Sequence, residues 1–386
     1  MKYFTKSITT LAAFATLATS AGEMGIKNAG LMGVLPGEDS SSALLPGQGH
    51  DTIIHEAMGH CVELGDFANQ DDGMTPGRIA EFTFEDIRSE TDLRTRLGIS
   101  ATLAMVAALQ GAPSGRVNFV HESRINTQNR YILVKSRVAN ELEQATSFAY
   151  SADAKELLER TNKEEDAFTQ ACGNEFVYAR RTGVEFYALL EFLTITHEQA
   201  RRFDAAAAGE YNGWRGVADL NWMLGRFAGI AETRIHMIQL GGSRSFPQID
   251  DLEEFARTYP SLVDASLSGA VNLELVTKNY GGVTPTYLAP DFKKTRGRAT
   301  TIDEVARNRE KVNDLRRAID YIRGNLKFYQ YDRRVHDFSR WLSELQSFEY
   351  ANDDIARACL TANWDWCSIP PLHRVPEIQL PIRKGI

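Results

Sequence analysis

Residues Phe168 to Phe186 read FTQACGNEFVYARRTGVEF. This stretch closes one kind of local structure and opens another. Upstream, SADAKELLERTNKEEDAFTQA starts with Ser151 in a helix-capping position and carries its charges on an exposed face, as a helix does. Downstream, Gly183 to Thr196 is dense in aromatic and β-branched residues and reads as a strand. A second strand precedes it in RYILVKSRVAN, with Tyr131, Leu133, Lys135, Arg137 and Ala139 on one side. Ile132, Val134, Ser136 and Val138 fall on the other. A third, Thr233 to Leu240, ends in Gly241-Gly242. Strands alternating with helical inserts, and then helices, do not make a βαβ pattern; they predict an α+β fold with a mainly antiparallel sheet. From Thr301 to Leu360 the chain reads as helical, with Val305, Val312, Leu315, Ile319, Ile322 and Leu326 in an apolar stripe. The proline-punctuated segment after Cys367 reads as an extended tail laid on the body.

The 386 residues are 43% hydrophobic and 24% charged, a globular composition. A net charge of −8 argues against a nucleic-acid partner. Residues 1–21 carry Lys2 and Lys6, an apolar run from Ile8 to Ala18 and then small residues, which is the pattern of a secretory signal peptide. Residues 22–50 are rich in Gly and Ser and read as a flexible lead-in. Export places Cys61, Cys172, Cys359 and Cys367 in an oxidising setting, where an even number of cysteines implies disulfides. Three connectivities are possible. Cys359 with Cys367 closes a local loop, which leaves Cys61 with Cys172, and this is the pairing expected.

One motif points elsewhere. DTIIHEAMGHCVELG contains His55, Glu56 and His60, close to the H-E-x-x-H of zinc peptidases. Its histidines stand at i and i+5, roughly 140° apart on a regular helix, so a shared metal would require a π-type bulge. Dipeptidyl-peptidase III enzymes use such a bulged H-E-L-L-G-H, which the stretch resembles at His55, Glu56, Gly59 and His60. Their second ligand helix has a counterpart here only at Glu164 and Glu165. Catalytic triads, phosphate loops and cysteine metal knuckles are absent from the sequence. The reading is a non-enzyme with no catalytic, metal or cofactor-binding residues and no cofactor.

The opening stretch resembles the signature of the membrane-attack-complex/perforin (MACPF) family, an aromatic residue followed by G-[TS]-H-[FY]-x6-G-G. Cys172 stands at the leading aromatic position, Gly173 matches the first glycine, Phe176 the aromatic, and Gly183 the first of the paired glycines. Asn174, Glu175 and Val184 depart from the pattern, as does Cys172. The resemblance covers about Asp51 to Pro290. It implies a divergent short member of the MACPF/cholesterol-dependent-cytolysin-like superfamily, with a MACPF-like domain at 51–290 and a helical region with extended tail at 291–386. The implied sheet is bent and four-stranded, Gly241 and Gly242 lie at its bend, and the Cys61 segment enters the domain as a stapled strand.

The resemblance also implies a function. Such a protein is secreted in soluble form, binds a membrane, forms homo-oligomers there and refolds two helical inserts into β-hairpins of a pore. Each hairpin needs two strands of about 9–11 residues and a turn. The inserts expected here, Ala107 to Asn129 and Arg202 to Ile230, barely suffice. The rival reading keeps the fold without the pore, as a secreted binding or adhesion protein. Trp341, Trp364 and Trp366 are read as helical core in preference to a lipid or glycan contact.

Overall fold

The computed structural model describes residues 32–36, 44–69, 79–111, 115–126, 128–194, 196–207, 225, 231–242, 269–361, 367 and 375–384. Residues 1–21, expected to be a signal peptide, and Trp364 and Trp366 lie outside them. In chain order the strands are β1 (Met32–Pro36), β2 (Gln48–Asp51), β3 (Glu56–His60), β4 (Val62–Leu64), β5 (Phe67–Asn69) and β6 (Ile79–Ile87). Then follow β7 (Arg130–Ala145), β8 (Phe148–Tyr150), β9 (Glu175–Phe192), β10 (Thr233–Leu240) and β11 (Val271–Asn279). The helices described are α1 (Glu90–Arg96), α2 (Ala101–Gln110), α3 (Gly115–Ser123), α4 (Ala152–Arg160), α5 (Glu165–Cys172) and α6 (His197–Ala207). Two long C-terminal helices are α7 (Lys293–Gly324) and α8 (Phe338–Leu360).

The spine of the fold is the antiparallel pair β7–β9, which runs from Arg130 opposite Phe192 to Gln144 opposite Ala179 with one register shift between Ala139 and Leu142. Both faces of this pair are covered in its upper half, where Tyr131 to Val134 and Tyr187 to Leu190 are all buried. That explains near-continuous apolar runs in place of strict alternation. β6 takes the free edge of β7, and β10 takes the free edge of β9, both antiparallel. The sheet is therefore antiparallel, with β6-β7-β9-β10 as its four long neighbours. The sequence reading places no strand at Ile79–Ile87. Glu81, Glu85 and Asp86 dilute its pattern, and its partner β7 lies far along the chain.

β9 runs well beyond the strand expected from Gly183 to Thr196, because it begins at Glu175 inside the signature stretch. Its first half pairs with β11, and β11 in turn pairs with β1. The flexible lead-in is thus corrected at Met32–Pro36 and Gln48–Asp51, which are strands of the central sheet. Five residues between Gly/Ser-rich runs show no period by themselves; β1 is ordered by the open edge that β11 offers.

Ser151 caps α4 as its sequence position suggests, accepting from the Ala154 amide. The single helix expected from there breaks into α4 and α5 at Asn162 and Lys163, both with positive φ. Below the sheet, α4 and α5 bury Leu158, Phe168 and Cys172 with Tyr150, Phe176 and Tyr280. The C-terminal stripe is buried largely as expected: Val305, Val312, Ile319 and Ile322 face inward on α7, and Trp341 lies in a core with Leu345 and Phe348. Residues 375–380 carry no regular secondary structure, and Arg383 forms an isolated bridge with Tyr329. The described residues from Met32 onward form one compact unit.

Cys61 bonds Cys172, and Cys359 bonds Cys367. The first ties the entry segment to the start of β9 and closes a long loop. Non-reducing peptide mapping should return these two pairs and no free thiol. Cys61→Ser with Cys172→Ser should lower unfolding stability by about 2–5 kcal/mol in denaturant titration.

Candidate functional site

β9 changes partner midway: residues 185–192 face β10, while 175–183 face β11. The change falls at Gly183, which lies opposite Ala139 on one side and Val271 on the other. Register shifts occur next to it on both sides, between Ala139 and Leu142 and between Asn272 and Glu274. Such shifts are bulges that bend a strand and sharpen its twist. A Cβ at Gly183 would lie 2.4 Å from the Val138 carbonyl oxygen. Gly241 and Gly242 leave β10 at the same place with φ of 71° and 88°. The Gly242 amide donates to the Gly269 carbonyl at 2.8 Å, and a Cβ at Gly241 would lie 3.0 Å from the carbonyl oxygens of Gly183 and Gly269. Glycines far apart in sequence thus meet at one junction. Gly269 was not legible as a member, since a lone glycine carries no such signal.

Buried charges surround the junction. Arg116 on α3 donates to Glu185 at 2.5 Å, with both side chains almost wholly buried. Tyr187 donates its hydroxyl to the same carboxylate at 2.7 Å. Arg137 lies 3.3 Å from Glu185 and 2.7 Å from Glu274, and Arg181 adds a contact to Glu274 at 3.0 Å. Burial by itself would raise the Glu274 carboxyl, but the Arg137 and Arg181 guanidiniums override it and hold it below the usual range. The chain joins an insert helix, β7, β9 and β11 through one ion network.

The two inserts are longer than their sequence suggests. Their flanking strands end at Ile87 and Phe192, so they run from Arg88 to Asn129 and from Leu193 to Glu232. Each is about 40 residues, against about 20 plus a turn for a membrane hairpin. The first folds as α1–α3, whose Leu93, Leu97, Val117, Phe119 and Val120 pack with Tyr131, Leu133, Tyr187, Leu189 and Leu240 of the sheet. Of the second, α6 is described. Its Phe203 packs on Phe192 with ring centroids 4.9 Å apart, and Asp204 accepts twice from Arg130. The Arg130 hydrogen bond holds the Asp204 carboxyl below its ordinary range, against the opposing effect of partial burial.

The remaining signature residues sit at the other end of β9. Cys172 ends α5 in its disulfide, and Gly173 follows with φ of 69°, where a Cβ would strike the His50 carbonyl. Phe176 is fully buried against Phe148 and Tyr280. The departures from the family pattern have local roles. The Asn174 side chain bonds the amide and hydroxyl of Thr52, and Glu175 accepts from Thr277.

His55, Glu56 and His60 do not lie on a helix. Asp51 accepts from the Ile53 and Ile54 amides in a turn, His55 follows with φ of 55°, and Glu56–His60 is the strand β3. His60 is exposed, whereas His55 packs near His50 with ring centroids 5.8 Å apart. Glu165 caps α7 by accepting from the Lys294 and Thr295 amides, far from any ligand role. No group of three His, Cys, Asp or Glu able to hold a metal occurs among the described residues.

Burial lowers His50 from 6.5 to about 3, helped by the neighbouring His55, and burial lowers His55 to about 4. The unfolded chain then takes protons first as pH falls. Their contribution to stability is complete above about 6.5 and is lost progressively below it, at about 2 kcal/mol per histidine by pH 5. Denaturant titrations at pH 7.5 and 5.0 should show that loss. His55→Asn, which tolerates the positive φ, should reduce the pH slope by about one proton.

No family model matches the sequence, and no curated protein matches it. Solved structures do. One is stonustoxin, at 12% identity and a TM-score of 0.41, covering 85% of this chain and 41% of that one. Another is Astrotactin-2, described as a vertebrate-specific and perforin-like membrane protein, at 11% identity and a TM-score of 0.32, covering 62% and 92%. A third is a non-hemolytic pneumolysin from Streptococcus pneumoniae, at 12% and 0.35, covering 66% and 61%. The chain thus spans about two fifths of the stonustoxin chain and three fifths of that pneumolysin. Likenesses at these values carry no argument about this chain. The strand order gives an α+β fold with an antiparallel central sheet and helices between its adjacent long strands.

Proposed function

We propose that the protein is a secreted, membrane-binding pore former that assembles as a homo-oligomer and refolds both inserts into β-hairpins. The observation that carries this reading is the placement of the inserts. Both connect adjacent long antiparallel strands, both leave the same end of the sheet, and each holds about twice the length one spanning hairpin needs. Extending β6 into β7, and β9 into β10, keeps the existing register and satisfies every new backbone group in a closed barrel. The helices must first leave the sheet. The bulged junction at Gly183, Gly241 and Gly242 supports a bend that opens there, because backbone passes backbone without intervening Cβ atoms. In this reading residues 51–290 form the membrane-acting domain, residues 291–386 support it, and no metal chemistry takes part. The lipid or glycan receptor is the unassigned partner.

The test is dye release from liposomes of varied composition, with imaging of rings. Gly241→Val and Gly242→Val should fold yet lose ring assembly or release at least tenfold, while Glu56→Gln keeps wild-type release. Cysteines at Arg130 and Asp204, bridged by a reducible thiol cross-linker, should block release until reductant is added. If Glu56→Gln abolishes release and the glycine variants do not, the reading fails. Rings without release would favour the non-lytic binding protein.

A further inference from the structure

A cavity of about 360 Å³, lined mainly by residues with polar side chains, lies where the first insert enters β7, where β9 ends and β10 begins, and against the last turn of α7. Asn129 forms part of its wall and is only 3% exposed. Its amide nitrogen donates to Glu191 at 2.8 Å, and its carbonyl oxygen has no hydrogen-bond partner. The Tyr321 hydroxyl, also in the wall and out of contact with solvent, has none either. Such groups in folded proteins are few, and leaving them unpaired is costly.

Glu191 is 6% exposed. One of its oxygens takes Asn129 and the Tyr131 hydroxyl, while the other faces His236 at 3.7 Å, beyond hydrogen-bond range. Burial would raise this carboxyl, but His236, Asn129 and Tyr131 together hold it low and ionised. The residues lining the cavity thus carry a carboxylate oxygen, an amide oxygen and a phenol oxygen, the last two buried and without a partner. The C-terminal ends of α3 and α7 both contribute to the wall, and their dipoles favour positive charge. A primary ammonium, with three N–H donors, matches this set better than a guanidinium fork or a quaternary amine. The mouth has the opposite character. Arg124 and Arg234 are exposed there, and Glu122 is the exposed acid among the described lining residues.

We propose that this cavity binds a small zwitterion, its primary ammonium on Glu191 and Asn129 and its anionic group between Arg124 and Arg234. The chemistry is that of a free amino-phosphate or of an ethanolamine lipid headgroup. Neither the site nor its ligand depends on pore formation.

The probe is O-phosphoethanolamine added to the full chain, read by calorimetry and thermal denaturation without membranes. At millimolar concentration it should raise Tm by about 2 °C or more. Phosphocholine, which lacks N–H donors, and inorganic phosphate should not. Glu191→Gln should abolish the effect. Arg234→Ala, an exposed change that leaves the fold intact, should weaken affinity about tenfold and serves if Glu191→Gln does not fold. Vesicles with phosphatidylethanolamine against phosphatidylcholine identify the source: selective, Glu191-dependent capture by the former assigns the lipid headgroup, and a response to the free probe alone assigns a soluble ligand. An equal response to phosphocholine, a response unchanged by both substitutions, or no response to either free or vesicle-borne headgroup overturns the proposal. None of these outcomes bears on dye release, so the two readings fail separately.

Discussion

The Val138 carbonyl oxygen leaves no room for a side chain at residue 183. That close approach holds β7 against β9 at the point where β9 exchanges β10 for β11, and the rest of the molecule is arranged around it. A side chain there would push apart the two strands that carry the sheet. The same crowding brings Gly241, Gly242 and Gly269 together, because each backbone passes within contact of another. Bulges on both flanks absorb the change of direction.

Packing on the two sides of this junction differs in kind. Toward the signature turn, aromatic rings of Phe168, Phe176 and Tyr280 lock β9 to α5 and β11, and the Cys61–Cys172 bond closes that end. Toward the inserts, the contact is an apolar helix layer fastened by one buried ion network through Arg116 and Glu185. A buried ion pair adds little net stability over an apolar pair, yet breaking it by removing one partner costs about 3–5 kcal/mol. One end of the sheet is thus fixed by aromatic packing and a disulfide, and the other by a layer of helices over charge.

The sequence by itself determined much of this. The strand over Arg130–Asn140, the limits of Thr233–Leu240, the Ser151 cap and the apolar stripe of the C-terminal helix were all legible, since each is set by residues within a few turns or pleats of one another. The cysteine pairs were legible too. Tertiary structure alone decided the rest. β1 exists because β11 has an edge to fill. β6 exists because β7 supplies partners about fifty residues away, and its position sets the true length of the first insert. The histidines of HEAMGH were settled by the Asp51 turn and by burial around His50, neither of which a ligand spacing reveals. Gly269, Arg116 and Glu185 had no local signal at all. Their roles arise from backbone and charge brought together across long stretches of chain, and such contacts are fixed by the packing of strands and not by the period of any one of them.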